Sequence, residues 1–348
     1  MEQSGSGSFI DWDYAVRIGT RIVGEGPEVT AAEASAAVEE LRAGANRATG
    51  LVRDFTGLDA PAGTAPILVV DRASWVRANA DSFATALGPV IGSVMGDRSP
   101  GLIGRTIGSR VTGAEVGLLL GFMGSRVLGQ FDPFHDPHGR LLLVAPNVVH
   151  VEQELGADPT DFRLWVCLHE ETHRVQFTAV PWMREHLMSM VATIAATMKS
   201  DDGALDEGVK KVASALREGS GSGSLVEMVS SPEQRALIDQ VTGMMSLLEG
   251  HADVVMDGVG PEVIPSVAAI RRKFTERRKG VGPLDRILRR LLGLDAKMAQ
   301  YRDGANFVRA VIADVGMDGF NAVWAQAENL PSKAEILEPE LWVKRIHG

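Results

Sequence analysis

The amino-acid sequence predicts a mainly α-helical protein with a small β component. Apolar residues recur at helical spacing through most of its 348 residues. Only two short runs, Pro66–Val70 and Leu141–Ala145, have the apolar composition typical of buried strands. Apolar residues make up 45% of the chain and charged residues 23%, so the chain can bury a substantial core.

The N-terminal part is predicted to contain two helices followed by a strand. Residues 1–10 are expected to form a flexible tail, and the two helices lie within Asp11–Arg53. Thr30 and Glu33 have the spacing of a capping box, which predicts the start of the second helix. The strand over Pro66–Val70 is expected to lead into a further helix.

Residues 85–130 are rich in glycine and in apolar side chains. Neither GxxxxGK(S/T) nor GxGxxG occurs there, so the glycines predict closely packed helices rather than a phosphate-binding loop. The segment Gln130–Arg140 is expected to be a turn-rich loop. The second strand, over Leu141–Ala145, is expected to end at Pro146.

The clearest helix start is the segment Asp158–Asp161, with the sequence DPTD. Aspartate caps a helix, proline suits its first position, and a second aspartate lies in the turn that favours acids. This helix is predicted to continue to about Phe177. Further helices are predicted from Met183 to about Met198 and from Pro232 to about Val255, with a flexible linker at 218–224.

This central helix contains an HExxH motif, His169-Glu170-Glu171-Thr172-His173. The two histidines are rotated by about 40° from each other and therefore lie on one helix face. Two imidazoles in that arrangement can bind one zinc ion, Zn2+, with Glu170 near a water on the metal. Zinc lowers the pKa of such a water to about 7, and the carboxylate passes its proton to the leaving group. The motif predicts one zinc per chain, with Glu170 as general base.

A third zinc ligand is expected from the segment Leu247–Asp253. Glu249 and Asp253 are spaced so that they share one face of a helix, at the edge of an apolar stripe. In that arrangement Glu249 ligates zinc, and Asp253 orients a zinc-bound histidine. His251 is the alternative ligand. It lies about 200° round a regular helix from Glu249, so only an irregularity at Gly250 would let both bind one metal.

A hydrolytic site of this kind also needs a hydrogen-bond donor for the developing oxyanion. The chain has two tyrosines, and Tyr301 is the candidate because it follows the helix of the third ligand. His251 is an alternative donor.

Cys167 and the basic run Arg271–Lys279 are expected to have structural roles rather than to form binding sites. Cys167 lies about 200° from His169 on a regular helix, which favours a buried core thiol over a zinc ligand. The run Arg271–Lys279 holds six basic residues in nine. In an otherwise acidic protein, a solvated helix face is expected there rather than a nucleic-acid site.

Charge and composition argue against several classes of protein. The formal net charge of −10 disfavours bulk binding to nucleic acid or to anionic membranes. One cysteine rules out an internal disulfide. The first residues lack the basic and apolar regions of a secretory signal, and no apolar run reaches the roughly 18–20 residues that span a bilayer. We therefore expect a cytoplasmic protein without a membrane segment.

Several long segments resemble the bacterial zincin-like metallopeptidases of type 2. They follow one another between about Asp11 and Trp324: GQFDPF, GRLLLVAPNVVHVEQELG, DFRLWVCLHEETHRVQF, LLEGHADVVMDGVG and GPLDRILRRLLGLDAKMAQYRDGANFV. Members have been labelled hydrolases, or proteins associated with deazaflavin-coenzyme biosynthesis. The resemblance implies a zincin-like architecture with HExxH on a central helix. It also implies a single unit over 11–348, in the parts 11–157, 158–260 and 261–348.

The charged residue Glu171 is the one local feature that looks unusual beside other zincins, because many metallopeptidases keep that position uncharged. The predicted function is a zinc-dependent metallopeptidase that hydrolyses a peptide or a related small amide. Two alternatives stay open: a zinc-binding interaction module without catalysis, and a metal-dependent hydrolase of a non-peptide amide in coenzyme metabolism. HExxH specifies an activated water and not a substrate pocket, so the motif does not choose between them.

Overall fold

The computed structural model describes residues 10–61, 65–95, 102–199, 232–279 and 294–348. Its elements confirm the expected fold class, mainly α with a small β component. The linker predicted at 218–224, and all of the predicted N-terminal tail except Ile10, lie outside the described residues.

The described residues contain twelve α-helices. In order they are α1 (Trp12–Ile22), α2 (Ala31–Thr56), α3 (Arg72–Met95), α4 (Leu102–Gly124), α5 (Ala145–Leu155), α6 (Pro159–Ala179), α7 (Met183–Lys199), α8 (Pro232–Gly258), α9 (Val267–Lys279), α10 (Leu294–Phe320), α11 (Lys333–Leu337) and α12 (Pro339–His347). Two 3-10 turns, Asn321–Trp324 and Ala327–Asn329, lie between α10 and α11. In the part of the chain just described, no helix is both long and apolar enough to cross a membrane.

A three-stranded sheet has the order β1-β3-β2. Its strands are β1 (Ile67–Val70), β2 (Gly129–Asp132) and β3 (Arg140–Val144). The central strand β3 is parallel to β1 and antiparallel to β2, which leaves β2 at one edge. The three residues Leu141, Leu142 and Leu143 of β3 are buried, as both faces of a covered sheet require.

The predicted helix starts are confirmed by their caps. Thr30 and Glu33 form the expected capping box at the start of α2. The side chain of Asp158 accepts the backbone N–H of Asp161 at the start of α6, and Pro159 occupies its first turn. Each cap satisfies a backbone donor that has no partner inside its helix.

Two sequence predictions around the sheet were wrong. The loop expected over Gln130–Arg140 begins only after Asp132, because residues 129–132 pair with β3. The strand expected over Leu141–Ala145 ends at Val144, and Ala145 and Pro146 form the first turn of α5. Proline is tolerated there because its missing N–H would have no partner in the first turn of a helix.

The described elements divide into two compact units. The first contains the sheet, α1 to α6 without Ser93–Met95, which belongs to the second unit, and α7 through Arg184. It also contains α8 from Ala252 onward and α9. The second contains α7 from Glu185, α8 through His251, and α10 to α12. The boundary therefore falls inside one continuous helix, α8.

The first unit has its main core around α6. The buried side chains Phe162, Leu164, Val166 and Leu168 of this helix pack in one cluster with residues of α2, including Leu41. Apolar residues therefore cover α6 on more than one side. Its polar groups must consequently find partners inside the protein.

Glycines let α1 and α4 approach to backbone contact. A Cβ atom on Gly117 would lie 2.5 Å from the carbonyl oxygen of Ala15 and 2.8 Å from Cβ of Ile18. A Cβ atom on Gly113 would lie 2.6 Å from the carbonyl oxygen of Asp11. These contacts agree with the packed-helix interpretation of the glycine-rich segment.

The second unit has an aromatic core and its own close helix crossing. Phe307 and Trp342 meet edge to face, with ring centroids 5.8 Å apart. A Cβ atom on Gly250 of α8 would lie 2.1 Å from the backbone carbon of Gly304 in α10. Gly250 therefore permits a helix crossing, and α8 runs through it without a break.

The crossing of α1 and α4 generates the first prediction. Replacing Gly117 by alanine should lower the free energy of unfolding by about 1–3 kcal/mol, because the new methyl group overlaps the α1 backbone. Urea unfolding of both proteins measures the change. The matched control is Gly50→Ala in α2, where the added methyl has open space and should stabilise the helix by up to about 1 kcal/mol. Equal midpoints for Gly117→Ala and the parent would contradict the packing argument.

Candidate metal centre

The HExxH residues occupy the C-terminal half of α6, and the two histidines lie side by side. Their Nε2 atoms are 3.3 Å apart, and their rings are nearly perpendicular, at 88°. Two nitrogens that each lie about 2.0–2.1 Å from a tetrahedral zinc would be separated by roughly 3.4 Å. The spacing of His169 and His173 therefore fits a shared zinc ion.

The outer ring nitrogens of these histidines have partners that accept hydrogen bonds. Nδ1 of His173 lies 2.9 Å from the side-chain oxygen of Gln176, and Nδ1 of His169 lies 3.2 Å from the sulfur of Met256. An amide oxygen only accepts, so Nδ1 of His173 carries its proton and donates it. With protons on both Nδ1 atoms, the Nε2 lone pairs face each other, and a cation between them would remove their repulsion.

Glu249 is the third residue of this group. The ligand atoms of His169, His173 and Glu249 all lie within 4.8 Å of one another. Glu249 is buried, and the two histidines are half-buried. Two imidazole nitrogens and a carboxylate oxygen form a donor set that binds catalytic zinc and leaves a further coordination position.

The other two candidates on α8 have different surroundings. His251 is fully buried against aromatic rings, with its centroid 5.5 Å from that of Phe320 and 5.2 Å from that of Trp324. Asp253 forms an ion pair with Arg271 at 3.3 Å. Among the described residues, Asp253 makes no hydrogen bond to either histidine. Gln176 makes the histidine contact that the sequence suggested for Asp253.

Glu170 lies against the edge strand β2. A Cβ atom on Gly129 would lie 2.5 Å from Cγ, 2.8 Å from Cδ and 3.0 Å from Oε1 of Glu170. Only a residue without a side chain leaves room for the carboxylate in this position. Glu170 is buried, and the close approach of Gly129 restricts the conformations of its side chain.

Glu171, which looked unusual in the sequence, belongs to a buried ion pair. Both of its oxygens accept from Nε of Arg174, at 3.0 and 2.8 Å, and Nη2 of Arg174 donates to one of them at 2.5 Å. The hydroxyl of Thr49 in α2 donates to Glu171 at 2.8 Å. A buried carboxylate needs such partners, because an isolated buried charge is costly.

Cys167 and Tyr301, which the sequence also singled out, lie on α6 and α10. Cys167 is fully buried, and its thiol lies 3.5 Å from the carbonyl oxygen of Leu41. Burial, followed by the nearby charge of Glu170, raises the pKa of this thiol, which makes it a poor nucleophile. Tyr301 falls within α10, but its side chain lies outside the described residues.

The basic run over Arg271–Lys279 is partly paired with acidic residues. Nε of Arg271 lies 2.7 Å from Asp257, and Nε of Arg277 lies 2.7 Å from Glu154. These ion pairs reduce the positive charge that the sequence run would otherwise present.

Sequence reasoning did not select Gln176, Met256 or Gly129 as parts of the centre. Gln176 had a possible signal, since it lies three residues after His173 and so shares its helix face. Met256 and Gly129 had none, because their contacts with His169 and Glu170 join segments that are distant in the chain.

The hydrogen bond from His173 to Gln176 generates the second prediction. Gln176→Ala should weaken zinc binding about 10–100-fold, because the imidazole loses the partner that fixes its tautomer and orientation. Competition with a chelator of known affinity measures the change. Gln176→Glu keeps an acceptor at this position and should retain most of the affinity. Unchanged zinc binding in a folded Gln176→Ala protein would contradict the assigned role.

Comparisons with known proteins assign the chain to a family. A sequence model of the family described as zincin-like metallopeptidases matches residues 10–343. The chain is also similar to a crystal structure from Chloroflexus aurantiacus, of a protein with a novel fold whose assignment as a hydrolase is provisional. The two share 31% sequence identity with a TM-score of 0.70, over 97% of this chain and 98% of that chain. No curated protein gives a significant match.

Proposed function

Because the chain belongs to the family of zincin-like metallopeptidases, we propose that it is a zinc-dependent hydrolase of peptide or related amide bonds. One observation carries this proposal. The Nε2 atoms of His169 and His173 face each other at 3.3 Å. A ring nitrogen of each histidine lies within 4.8 Å of a carboxylate oxygen of Glu249. Three donors of these types fit zinc and suit a hydrolytic site.

In this proposal His169, His173 and Glu249 hold the ion. Zinc, when bound, acts as a Lewis acid toward the scissile carbonyl and lowers the pKa of a water. Gln176 keeps the proton of His173 on Nδ1, so that Nε2 offers its lone pair. Met256 does the same for His169 through a weaker acceptor, its thioether sulfur.

Glu170 performs the proton transfers. Its carboxylate takes a proton from the attacking water and delivers it to the leaving nitrogen, which must be protonated before the amide bond breaks. The backbone of Gly129 limits the side-chain conformations of Glu170, so the base is held in place before substrate arrives. Tyr301 is our candidate to donate a hydrogen bond to the developing oxyanion. The ring of His251 packs against Phe320 and Trp324, which does not suit that role.

The substrate we propose is a peptide, with a small non-peptide amide as the alternative. The two are separated by assaying the zinc-loaded protein against a peptide library and against a panel of small amides. Turnover of small amides alone would select the alternative. One tightly held zinc per chain without turnover of either class would instead favour an interaction module.

The third prediction tests the general base. Glu170→Gln should retain about one zinc per chain, measured by elemental mass spectrometry, and should lose roughly 10²–10⁴-fold in hydrolysis. The amide keeps the size of the side chain but cannot accept the proton. Glu39→Gln, a change at an exposed position of α2, is the matched control and should leave both properties unchanged. Full activity in Glu170→Gln would overturn the mechanism.

The fourth prediction tests the position of the base. Gly129→Ala should lower turnover roughly 10²-fold, because the new methyl group displaces the Glu170 carboxylate. Zinc content should not change, since no ligand moves. Gly88→Ala, where the added methyl meets no neighbour, serves as the control. Normal turnover in Gly129→Ala would show that the position of Glu170 does not limit the reaction.

A further inference from the structure

A cavity of about 750 Å3 lies within the first unit, between α2, the segment that follows it, β1 and α6. It meets α6 at Arg174 and Val175. On a regular helix, Arg174 is rotated by about 140° from His169 and about 100° from His173. The cavity is therefore distinct from the zinc-binding face that we propose for the same helix. Its volume lies in the range of about 300–1,000 Å3 that is typical of small-molecule sites.

On α6 the cavity is lined by Val175 and by Arg174, a buried residue that is 6% exposed. Its Nε and Nη2 atoms donate to Glu171, and Nη2 also lies 3.4 Å from the hydroxyl of Thr49. No acceptor among the described residues contacts its third nitrogen, Nη1. A nine-tenths buried arginine thus lines the cavity with donor capacity unused.

Helix α2 adds two more arginines to the lining. Arg42 and Arg53 lie on α2 and line the same cavity, and Asp59 is the one acidic residue among the described residues of its lining. Arg53 also contacts Asp54, but both side chains are more than half exposed, so water screens that pair. The described lining therefore holds three arginines against Asp59, with Glu171 paired to Arg174 and the exposed Asp54 beside Arg53.

The ion pair of Glu171 and Arg174 is not explained by stability alone. A buried ion pair must offset a large desolvation cost, and apolar residues of similar volume often stabilise a protein as well or better. The pair does place a fixed guanidinium at the cavity wall. Arginine forks bind carboxylate and phosphate groups through paired, charge-assisted hydrogen bonds.

From these observations we infer that the cavity is a binding site for a small molecule that carries a carboxylate or phosphate group. Arg174 contacts the anionic group at the wall of the cavity, and Arg42 and Arg53 provide further positive charge. Asn46 offers a neutral hydrogen-bonding group to the rest of the ligand. This inference does not depend on the hydrolytic function, because none of these residues belongs to the proposed zinc centre.

Isothermal titration calorimetry of the zinc-loaded full chain tests the inference. The probes are inorganic phosphate and succinate, which carry the two anionic groups, and succinamide, an uncharged molecule similar in size to succinate. We expect at least one anion to bind, with an affinity that falls as salt is added, and succinamide not to bind. Phosphate binding alone or succinate binding alone would identify which anionic group the site takes.

Two variants separate this cavity from the zinc ion, to which anions can also bind. The double substitution Arg42→Gln with Arg53→Gln should weaken anion binding about tenfold or more, since it removes two charged donors. Arg47→Gln, an exposed arginine of α2 outside the cavity lining, is the matched control. Zinc content should be equal in all three proteins.

Two results would overturn the inference. One is the absence of binding by both anions. The other is anion binding that persists unchanged in the double variant, which would place the anion elsewhere, including on zinc. Neither result would bear on the hydrolytic function, which the Glu170 variant tests separately.

Discussion

The central constraint on this protein is that α6 is buried while it carries ionisable groups. Glu170, Glu171 and Arg174 are all buried on this one helix. Burying an isolated charge costs several kcal/mol, so each group needs a partner or a function. Glu171 is paired with Arg174 and Thr49, and Nδ1 of His173 is bound to Gln176. The hydrogen bond between Glu171 and Thr49 ties α6 to α2. The histidines of the proposed zinc centre lie on a different face of α6.

Close backbone approach is the second requirement of the candidate centre. Gly129 brings β2 against the Glu170 carboxylate, and Gly250 lets α8 cross Gly304 directly after the predicted ligand Glu249. His251 then packs against Phe320 and Trp324, which fixes the rotation of α8 at this point. Gly250, where the sequence left an irregularity of the helix open, therefore helps to hold the proposed zinc ligand Glu249 in place.

The two faces of α6 are chemically different. Two imidazole nitrogens, whose outer nitrogens contact an amide oxygen and a thioether, lie on the face of the proposed zinc centre. The cavity face presents a guanidinium whose charge is only partly used by Glu171. The membership of a metallopeptidase family accounts for the first face. The second face is formed by Glu171 and Arg174, and the anion site that we infer there would use the guanidinium of Arg174.

Much of the fold and the core of the candidate centre could be predicted from the sequence, because those features depend on local spacing. The capping box of α2, the start of α6 and the shared face of His169 and His173 follow from residues within one or two helical turns. Glu249 could be proposed from its place on an amphipathic helix. The contacts of Glu170 with Gly129, of His169 with Met256 and of Glu171 with Thr49 were decided only by tertiary structure. Each joins segments far apart in the chain, and helical periodicity carries no information about which distant residue packs against a given face.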